Sequence, residues 1–211
     1  MTIGRFITIE GGEGAGKSTQ LRHLAERLRE RGLDLVQTRE PGGTEGAEAI
    51  RALIVDGPAE RWRPLAELYL FLAAREDHLH RAIVPALRAG RWVLSDRFAD
   101  SSRVYQGIAG ELGLDLVDAL QAPLLGSHHP DLTLVLDLPV PAGLARSAAR
   151  GGADRFEAKG VGYHERVRAG FRLLADREPE RFAVIDADRA EAEVAAAVWA
   201  TVSDRLGLRT E

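Results

Sequence analysis

The sequence predicts an α/β fold in which a five-stranded parallel sheet is flanked by helices on both faces, and three observations support this prediction. Five short apolar segments alternate with longer segments of helical periodicity, an order typical of doubly wound sheets. The fourth apolar segment, residues 132–137, is almost continuously apolar, as expected for a parallel strand covered on both faces. A glycine-rich stretch joins the first apolar segment to the first helix. The 211 residues, 45% of them hydrophobic, suffice for a single domain over residues 1–211.

The individual elements follow from residue type and spacing. Apolar and β-branched runs predict strands over residues 5–9, 33–38, 92–97, 132–137 and 182–186. Apolar residues at helical spacing predict helices over residues 19–31, 45–55, 65–89, 141–150 and 163–176, and a closing helix that carries Val194, Val198, Val202 and Leu206. Pro85 predicts a kink in the third helix. Residues 100–130 and the segment near residue 152 are expected to lie apart from this core.

The glycine-rich stretch, residues 11–18, reads GGEGAGKS and fits the pattern G-x-x-x-x-G-K-[ST] of a phosphate-binding loop, or P-loop. Its backbone amides and the helix that follows would hold polyphosphate. Lys17 would reach the β and γ phosphates, and Ser18 would bind the accompanying Mg²⁺. Asp96 ends the third strand, where P-loop proteins commonly keep an aspartate for the same ion. Lysine occurs only at positions 17 and 159, so Lys17 stands out in a chain that otherwise uses arginine.

Composition excludes several classes of protein and partner. The formal net charge of −4 gives no field that would attract nucleic acid, and the absence of cysteine excludes disulfides and thiolate metal sites. No apolar run approaches membrane-spanning length, and the first strand begins within a few residues of Met1. We therefore expect a cytoplasmic protein that binds neither nucleic acid nor a membrane.

Three kinds of nucleotide-binding protein share such a loop: GTPases, ATP-driven motors or regulators, and small-molecule kinases. The chain contains no asparagine and so lacks the Asn-Lys-x-Asp motif with which GTPases recognise guanine. Motors usually need a longer chain. A kinase needs a second polar pocket and a lid that excludes water, and the arginine-bearing segment over residues 147–160 is the expected lid.

Four motifs, taken together and in order, resemble the bacterial thymidylate kinases, which belong to the P-loop nucleoside monophosphate kinases. These motifs are residues 6–19 (FITIEGGEGAGKST), residues 38–44 (TREPGGT), residues 96–107 (DRF, then SS and YQG) and residues 154–157 (DRFE). The resemblance extends from about residue 5 to residue 186. It implies transfer of the γ-phosphoryl group of ATP, bound with Mg²⁺, to dTMP, and it implies a homodimer.

The resemblance also implies roles for individual residues on the donor side. The residues expected to bind ATP are Gly11, Gly12, Glu13, Gly14, Ala15, Gly16, Lys17, Ser18 and Thr19, with Arg146 beside the adenine. Ser18 and Asp96 are the expected contacts of the metal. Some relatives carry a basic residue inside the loop where this chain has Gly14 and Ala15. The lid arginines Arg150 and Arg155 would therefore approach the transferring phosphoryl group, together with Lys17 and Arg97.

On the acceptor side, the resemblance implies that thymine stacks on Phe71 and that Arg75, Ser102 and Gln106 contact the base. Tyr105 would crowd the position of a ribose 2′-hydroxyl, and Arg97 would hold the acceptor phosphate, with Arg51 as a second candidate. Glu13, and also Glu40, would contact the acceptor sugar or its water. Relatives often place an arginine soon after the glycine at position 107, and this chain does not. Two alternatives remain open: a kinase for another nucleoside monophosphate or a deoxynucleoside, and a noncatalytic ATP-binding regulator.

Overall fold

The predicted parallel sheet is confirmed in the computed structural model, which describes residues 4–151 and 155–208. The strand order is β2-β3-β1-β4-β5, and all neighbouring pairs are parallel. The strands are β1 (Phe6–Gly11), β2 (Leu35–Arg39), β3 (Trp92–Asp96), β4 (Leu132–Asp137) and β5 (Phe182–Asp186). The last two have the predicted bounds, and the others differ from prediction by one or two residues at an end.

Helices cover both faces of this sheet. They are α1 (Lys17–Glu30), α2 (Glu45–Val55), α3 (Pro64–His78), α4 (Val84–Arg88), α5 (Ala99–Ser102), α6 (Leu114–Leu125), α7 (Val140–Arg150), α8 (Val161–Arg177) and α9 (Glu191–Arg205). In the described part of the chain, no helix is both long enough and apolar enough to cross a membrane.

The central strand β1 divides its side chains between two cores. Ile7 and Ile9 pack into the core under α1 and α9. Phe6 points to the opposite face, where its ring meets the edge of Phe98 at a centroid distance of 4.9 Å. Successive strand residues alternate in direction, so Glu10 lies on the same face as Phe6. Its carboxyl group is therefore inside the protein, beneath the carboxyl edge of the sheet.

The predicted helix over residues 65–89 is divided into three parts. Between α3 and α4 the backbone forms a π-helical turn over Leu79–Ile83, just before Pro85. Proline has no amide hydrogen, and its ring clashes with the carbonyl four residues earlier in a regular helix. The wider turn removes that conflict, and it lies where the sequence predicts a kink.

The expectation that residues 100–130 lie apart from the core is wrong. This region forms α5, a second π-helical turn over Arg103–Ile108, and α6. Val104 and Val117 are fully buried, because the region packs against α3 and α8. A π-helical turn and the glycines at positions 110 and 113 interrupt regular helix between α5 and α6, so helical periodicity in the sequence does not reveal this packing.

The predicted lid is described only in part. Residues 152–154 and the side chain of Arg150 lie outside the described residues, so the predictions that fall on them stay predictions. Beyond this gap Phe156 is buried, and it packs in the same cluster as Tyr105 and Tyr163. The C-terminal end of the segment is thus anchored to the core.

Candidate active site

A cleft of about 250 Å³ opens at the carboxyl edge of the sheet, where ligands bind in parallel α/β folds. The predicted site residues that line it are Glu13, Gly14, Ala15, Gly16, Lys17, Ser18, Glu40, Arg51, Phe71, Asp96, Arg97, Tyr105 and Gln106. Residues that line it without having been predicted are Arg39, Pro41, Ile54, Val55, Ser101 and Phe156. The structure therefore joins the predicted donor loop and most of the predicted acceptor residues in one cavity.

The P-loop is closed over the side chain of its lysine. Gly11, Gly14 and Gly16 have φ values of 140°, 68° and 87°, which side chains rarely allow. The Lys17 ammonium donates to the carbonyl oxygens of Gly12 at 2.8 Å and Gly11 at 3.3 Å. Burial, followed by the charge of Arg97, lowers the pKa of Lys17. Phosphate oxygens would be stronger acceptors for this desolvated ammonium than the two carbonyls.

Ser18, in the first turn of α1, donates its hydroxyl hydrogen to the carboxylate of Asp96 at the end of β3, at 2.7 Å. Two hard oxygen atoms on adjacent elements suit Mg²⁺, which takes one or two protein ligands and completes its shell with phosphate and water. Within the described ranges, no group of three acidic, histidine or cysteine side chains forms a metal cage. The pair thus fits a nucleotide-bound magnesium ion.

Arg97 connects the P-loop to the acceptor side of the cleft. It has a φ of 70° at the end of β3, in the left-handed region. Its guanidinium donates to Glu13 at 2.9 Å, to the carbonyl of Gly11 at 3.1 Å and to Ser101 at 3.3 Å, and it lies 4.7 Å from the centre of the Tyr105 ring. The Tyr105 hydroxyl donates to the same Glu13 carboxylate at 2.8 Å.

The charge of Glu13 is held in place by these partners. Burial by itself raises the pKa of this carboxyl, but the cations Arg97 and Lys17 and the Tyr105 hydroxyl outweigh burial and lower the pKa to about 2. Glu13 is therefore ionised at neutral pH although it sits in a phosphate-binding loop. The acid compensates the charges of Arg97 and Lys17, the two cations beside it.

Glu10 is a site residue that the sequence reasoning missed. It has no exposed surface, and its two oxygens accept hydrogen bonds from the Phe98 amide at 2.8 Å and the Ser101 hydroxyl at 2.6 Å. Phe98 follows Arg97 directly, and Ser101 lies four residues after it. Glu10 therefore stabilises the turn that presents the arginine. Burial raises its pKa to about 7 despite the nearby Arg97. The sequence signal that could have identified Glu10 is a charged residue at the end of an apolar strand.

Arg75 and Ser102 lie behind the wall of the cleft. Arg75 is only 1% exposed and donates to Glu40 at 2.8 Å, to Ser102 at 3.1 Å and to the carbonyl of Phe98 at 3.1 Å. His78 approaches the second oxygen of Glu40 at 3.1 Å. In this structure the arginine fixes Glu40, which itself lines the cleft.

Two phenylalanines form the apolar side of the cleft. Phe71 and Phe156 have ring centroids 6.0 Å apart and both line the cavity. Gln106, next to them, donates to the buried carboxylate of Glu67 at 2.9 Å. Tyr105 and Gln106 both face the cleft from the π-helical turn Arg103–Ile108.

The structure does not bring Arg155 to the P-loop. Its guanidinium donates to the carbonyls of Ile54 at 2.6 Å and Ala59 at 3.1 Å and forms an ion pair with Glu67. A cation that is almost wholly buried needs such partners, and the acceptor end of the cleft provides them. A contact between Arg155 and the transferring phosphoryl group stays a prediction.

The two remaining predicted arginines lie at different edges of the site. Arg146, on α7, donates to the carbonyl of Ala187 at 3.3 Å, in the loop after β5. Arg51, on α2, lines the cleft and donates to the carbonyl of Pro41 at 2.6 Å.

A P-loop that shares one cleft with a partly buried arginine and an aromatic pocket, at the carboxyl edge of a parallel sheet, defines a P-loop nucleotide kinase. A family model described as thymidylate kinase matches residues 9–198. The chain belongs to the thymidylate kinase family.

Individual relatives agree with this assignment over nearly the whole chain. The chain is 56% identical to a thymidylate kinase of Caulobacter vibrioides over 208 residues, which cover 99% of this chain and 100% of the relative. It is 52% identical to a thymidylate kinase of Nitrobacter winogradskyi over 96% of this chain and 89% of the relative. The crystal structure of thymidylate kinase from Ehrlichia chaffeensis superimposes with a TM-score of 0.75 at 32% identity, covering 94% of this chain and 98% of that one.

The raised pKa of Glu10 predicts a pH-dependent stability. Between the ordinary glutamate range near pH 4.5 and about pH 7, the folded protein binds this proton more tightly than the unfolded chain does. The free energy of unfolding should therefore fall across this window, by about 3 kcal/mol from this group. The free energy of unfolding of Glu10→Gln, relative to that of the wild type, should rise by that amount between pH 4.5 and pH 8, as measured by urea unfolding.

Glu30→Gln, at an exposed site on α1, is the matched control and should show a difference from the wild type that is independent of pH within about 0.5 kcal/mol. If the free energies of unfolding of Glu10→Gln and the wild type differ by a constant amount across this pH window, the assignment of a buried carboxyl group with a raised pKa is refuted.

Proposed function

We propose that the chain transfers the γ-phosphoryl group of ATP to dTMP, with Mg²⁺, giving dTDP and ADP for dTTP synthesis. The observation that carries the proposal is the single cleft in which Lys17 and the Ser18–Asp96 pair face Arg97 and the Phe71 pocket. Membership in the thymidylate kinase family supports the identity of the acceptor.

On the donor side, the P-loop amides and Lys17 bind the β and γ phosphates. Ser18 and Asp96 supply oxygens to the metal, which when bound neutralises charge on the phosphates. Lys17 then exchanges the carbonyls of Gly11 and Gly12 for phosphate oxygens. Arg146 lies beside the loop after β5 and provides the expected contact for adenine.

On the acceptor side, the chain's task is to position the acceptor and compensate charge. The phosphate of a nucleoside monophosphate is largely ionised at neutral pH, so no general base is required. Arg97 holds this phosphate, aided by Arg51, and Glu13 keeps the guanidinium aimed between the two nucleotides. Glu13 and Glu40 contact the acceptor sugar or its water.

Thymine occupies the apolar end of the cleft. Phe71 provides a stacking face, and Phe156 closes the pocket from the other side. Gln106 contacts the base edge, while Arg75 and Ser102 support the pocket wall from behind. Tyr105, fixed to Glu13, fills the space where a ribonucleotide carries its 2′-hydroxyl.

We propose further that the chain acts in the cytoplasm as a homodimer. Leu65 and Tyr69, on α3, expose 39% and 52% of their surface, and they are one turn apart on the same helix face. Light scattering at micromolar concentration should give twice the mass of one chain. The Tyr69→Glu variant should give the mass of a single chain. A wild-type chain that scatters as a monomer would contradict this proposal.

An acceptor panel decides between the proposed function and its alternatives. With ATP and Mg²⁺, kcat/KM should be highest for dTMP among dTMP, dUMP, dCMP, AMP and GMP. A preference for AMP or GMP would instead indicate another nucleoside monophosphate kinase. Nucleotide binding without turnover of any acceptor would indicate a regulator.

The lid arginines should matter for turnover more than for acceptor binding. A cation at the transferring phosphoryl group is typically worth about 10³- to 10⁵-fold in kcat, so Arg150→Ala or Arg155→Ala should cause a loss of that order with little change in the KM for dTMP. For Arg155 this role requires the guanidinium to leave Glu67 during the catalytic cycle.

Arg172→Ala, an exposed arginine on α8, is the control and should retain wild-type kcat. Near-normal kcat in both lid variants would exclude the lid as the source of catalytic charge. A raised KM for dTMP as the sole effect of Arg155→Ala would place this arginine at the acceptor site instead.

A further inference from the structure

The P-loop and helix α7 meet backbone to backbone, without side chains between them. A methyl group at Gly143 would lie less than 3.0 Å from the carbonyl oxygen of Glu13, closer than real Cβ atoms come. A methyl group at Gly14 would likewise collide with the carbonyl oxygen of Gly143. Both obstacles are backbone atoms, so no side chain can rotate away to make room.

Local conformation does not explain the glycine at position 143. It lies inside α7, and its amide donates to the carbonyl of Pro139 at 3.1 Å as in a regular helix. Glycine in a helix interior costs about 0.5–1 kcal/mol relative to alanine. Gly14 differs, because its φ of 68° favours glycine in any case. Of the two, only Gly143 is needed solely for the close approach.

This contact connects the phosphate loop to the helix that leads into the lid. Positions 146 and 150 follow Gly143 by three and seven residues, so all three fall on one face of α7. The helix rises 1.5 Å per residue, which places position 150 about 10 Å beyond the contact. A displacement of α7 at Gly143 therefore moves both arginine-bearing positions relative to the bound phosphates.

We propose that Gly143 is a positioning residue that seats α7 on the P-loop and so sets the distance between the phosphate loop and the arginines of α7. The inference rests on the proposed function only in taking the P-loop as the donor site. It concerns the nucleotide donor and is independent of which acceptor is phosphorylated.

Gly143→Ala tests this contact. Misplacing a catalytic group by about 1 Å can cost about 10²-fold, so we expect kcat/KM for ATP to fall about 10- to 100-fold. The affinity for MgADP, measured by calorimetry without acceptor, should fall by at least about 10-fold, whereas dTMP affinity changes less than about 2-fold. Unchanged MgADP affinity and kcat in a folded Gly143→Ala protein would overturn the proposal. A lower melting temperature as the sole effect of the substitution would overturn it as well.

Gly162→Ala is the matched control, because Gly162 lies in α8 with its nearest neighbour, a nitrogen of Arg166, 4.0 Å from the added methyl position. This variant should bind MgADP and turn over as the wild type does. An equal loss in both variants would also overturn the proposal. MgADP binding does not involve the acceptor, so a failed acceptor panel and a failed Gly143 test are distinguishable.

Hydrogen exchange on the wild-type protein gives a test that does not depend on the variant folding. Addition of MgADP should slow amide exchange in α7 as well as in the P-loop, because the two backbones move together. Slowing confined to the P-loop would contradict the proposed coupling.

Discussion

The site depends on the compensation of buried charge around Arg97. Its guanidinium is held by Glu13, the carbonyl of Gly11 and Ser101, and Glu10 braces the turn beneath it. Desolvated ions of this kind are costly unless every charge has a nearby partner. Removing one partner would leave the others uncompensated, so the P-loop and the acceptor pocket form one electrostatic unit. The left-handed backbone at Arg97 is maintained by this surrounding network.

The same network prepares the cleft to bind anions. Glu13 and the loop carbonyls occupy the donors of Arg97 and Lys17, and they are weaker competitors for a cation than phosphate dianions. Binding a nucleotide therefore exchanges partners and does not expose bare charge. The preorganised donors require little rearrangement, which is how such sites stabilise charge that develops during phosphoryl transfer.

Local patterns in the sequence predicted most of the sheet and the P-loop, because these features are encoded over short stretches. The bounds of β4 and β5 follow from their apolar runs, and residues 11–18 follow from glycine spacing. What sequence did not reveal depends on long-range packing. Phe156 lines the cleft, and Glu67 pairs with Arg155 beside it, only because α3 and the end of the lid segment meet there. The position of Arg155 likewise depends on carbonyls contributed by the end of α2 and by the turn that follows it, which are distant in sequence.

The π-helical turn over Arg103–Ile108 has a consequence for how this chain can change in evolution. A π turn contains about one residue more than an α turn, and its hydrogen bonds are less favourable. Deleting one residue would restore the regular ladder without rotating the flanking residues, because the wider turn already absorbs the extra residue, but it would shift the residues inside the turn by one position relative to the cleft. Tyr105 and Gln106 would then no longer both face the cleft. Selection on this segment therefore acts on the number of its residues as well as on the identity of Tyr105 and Gln106.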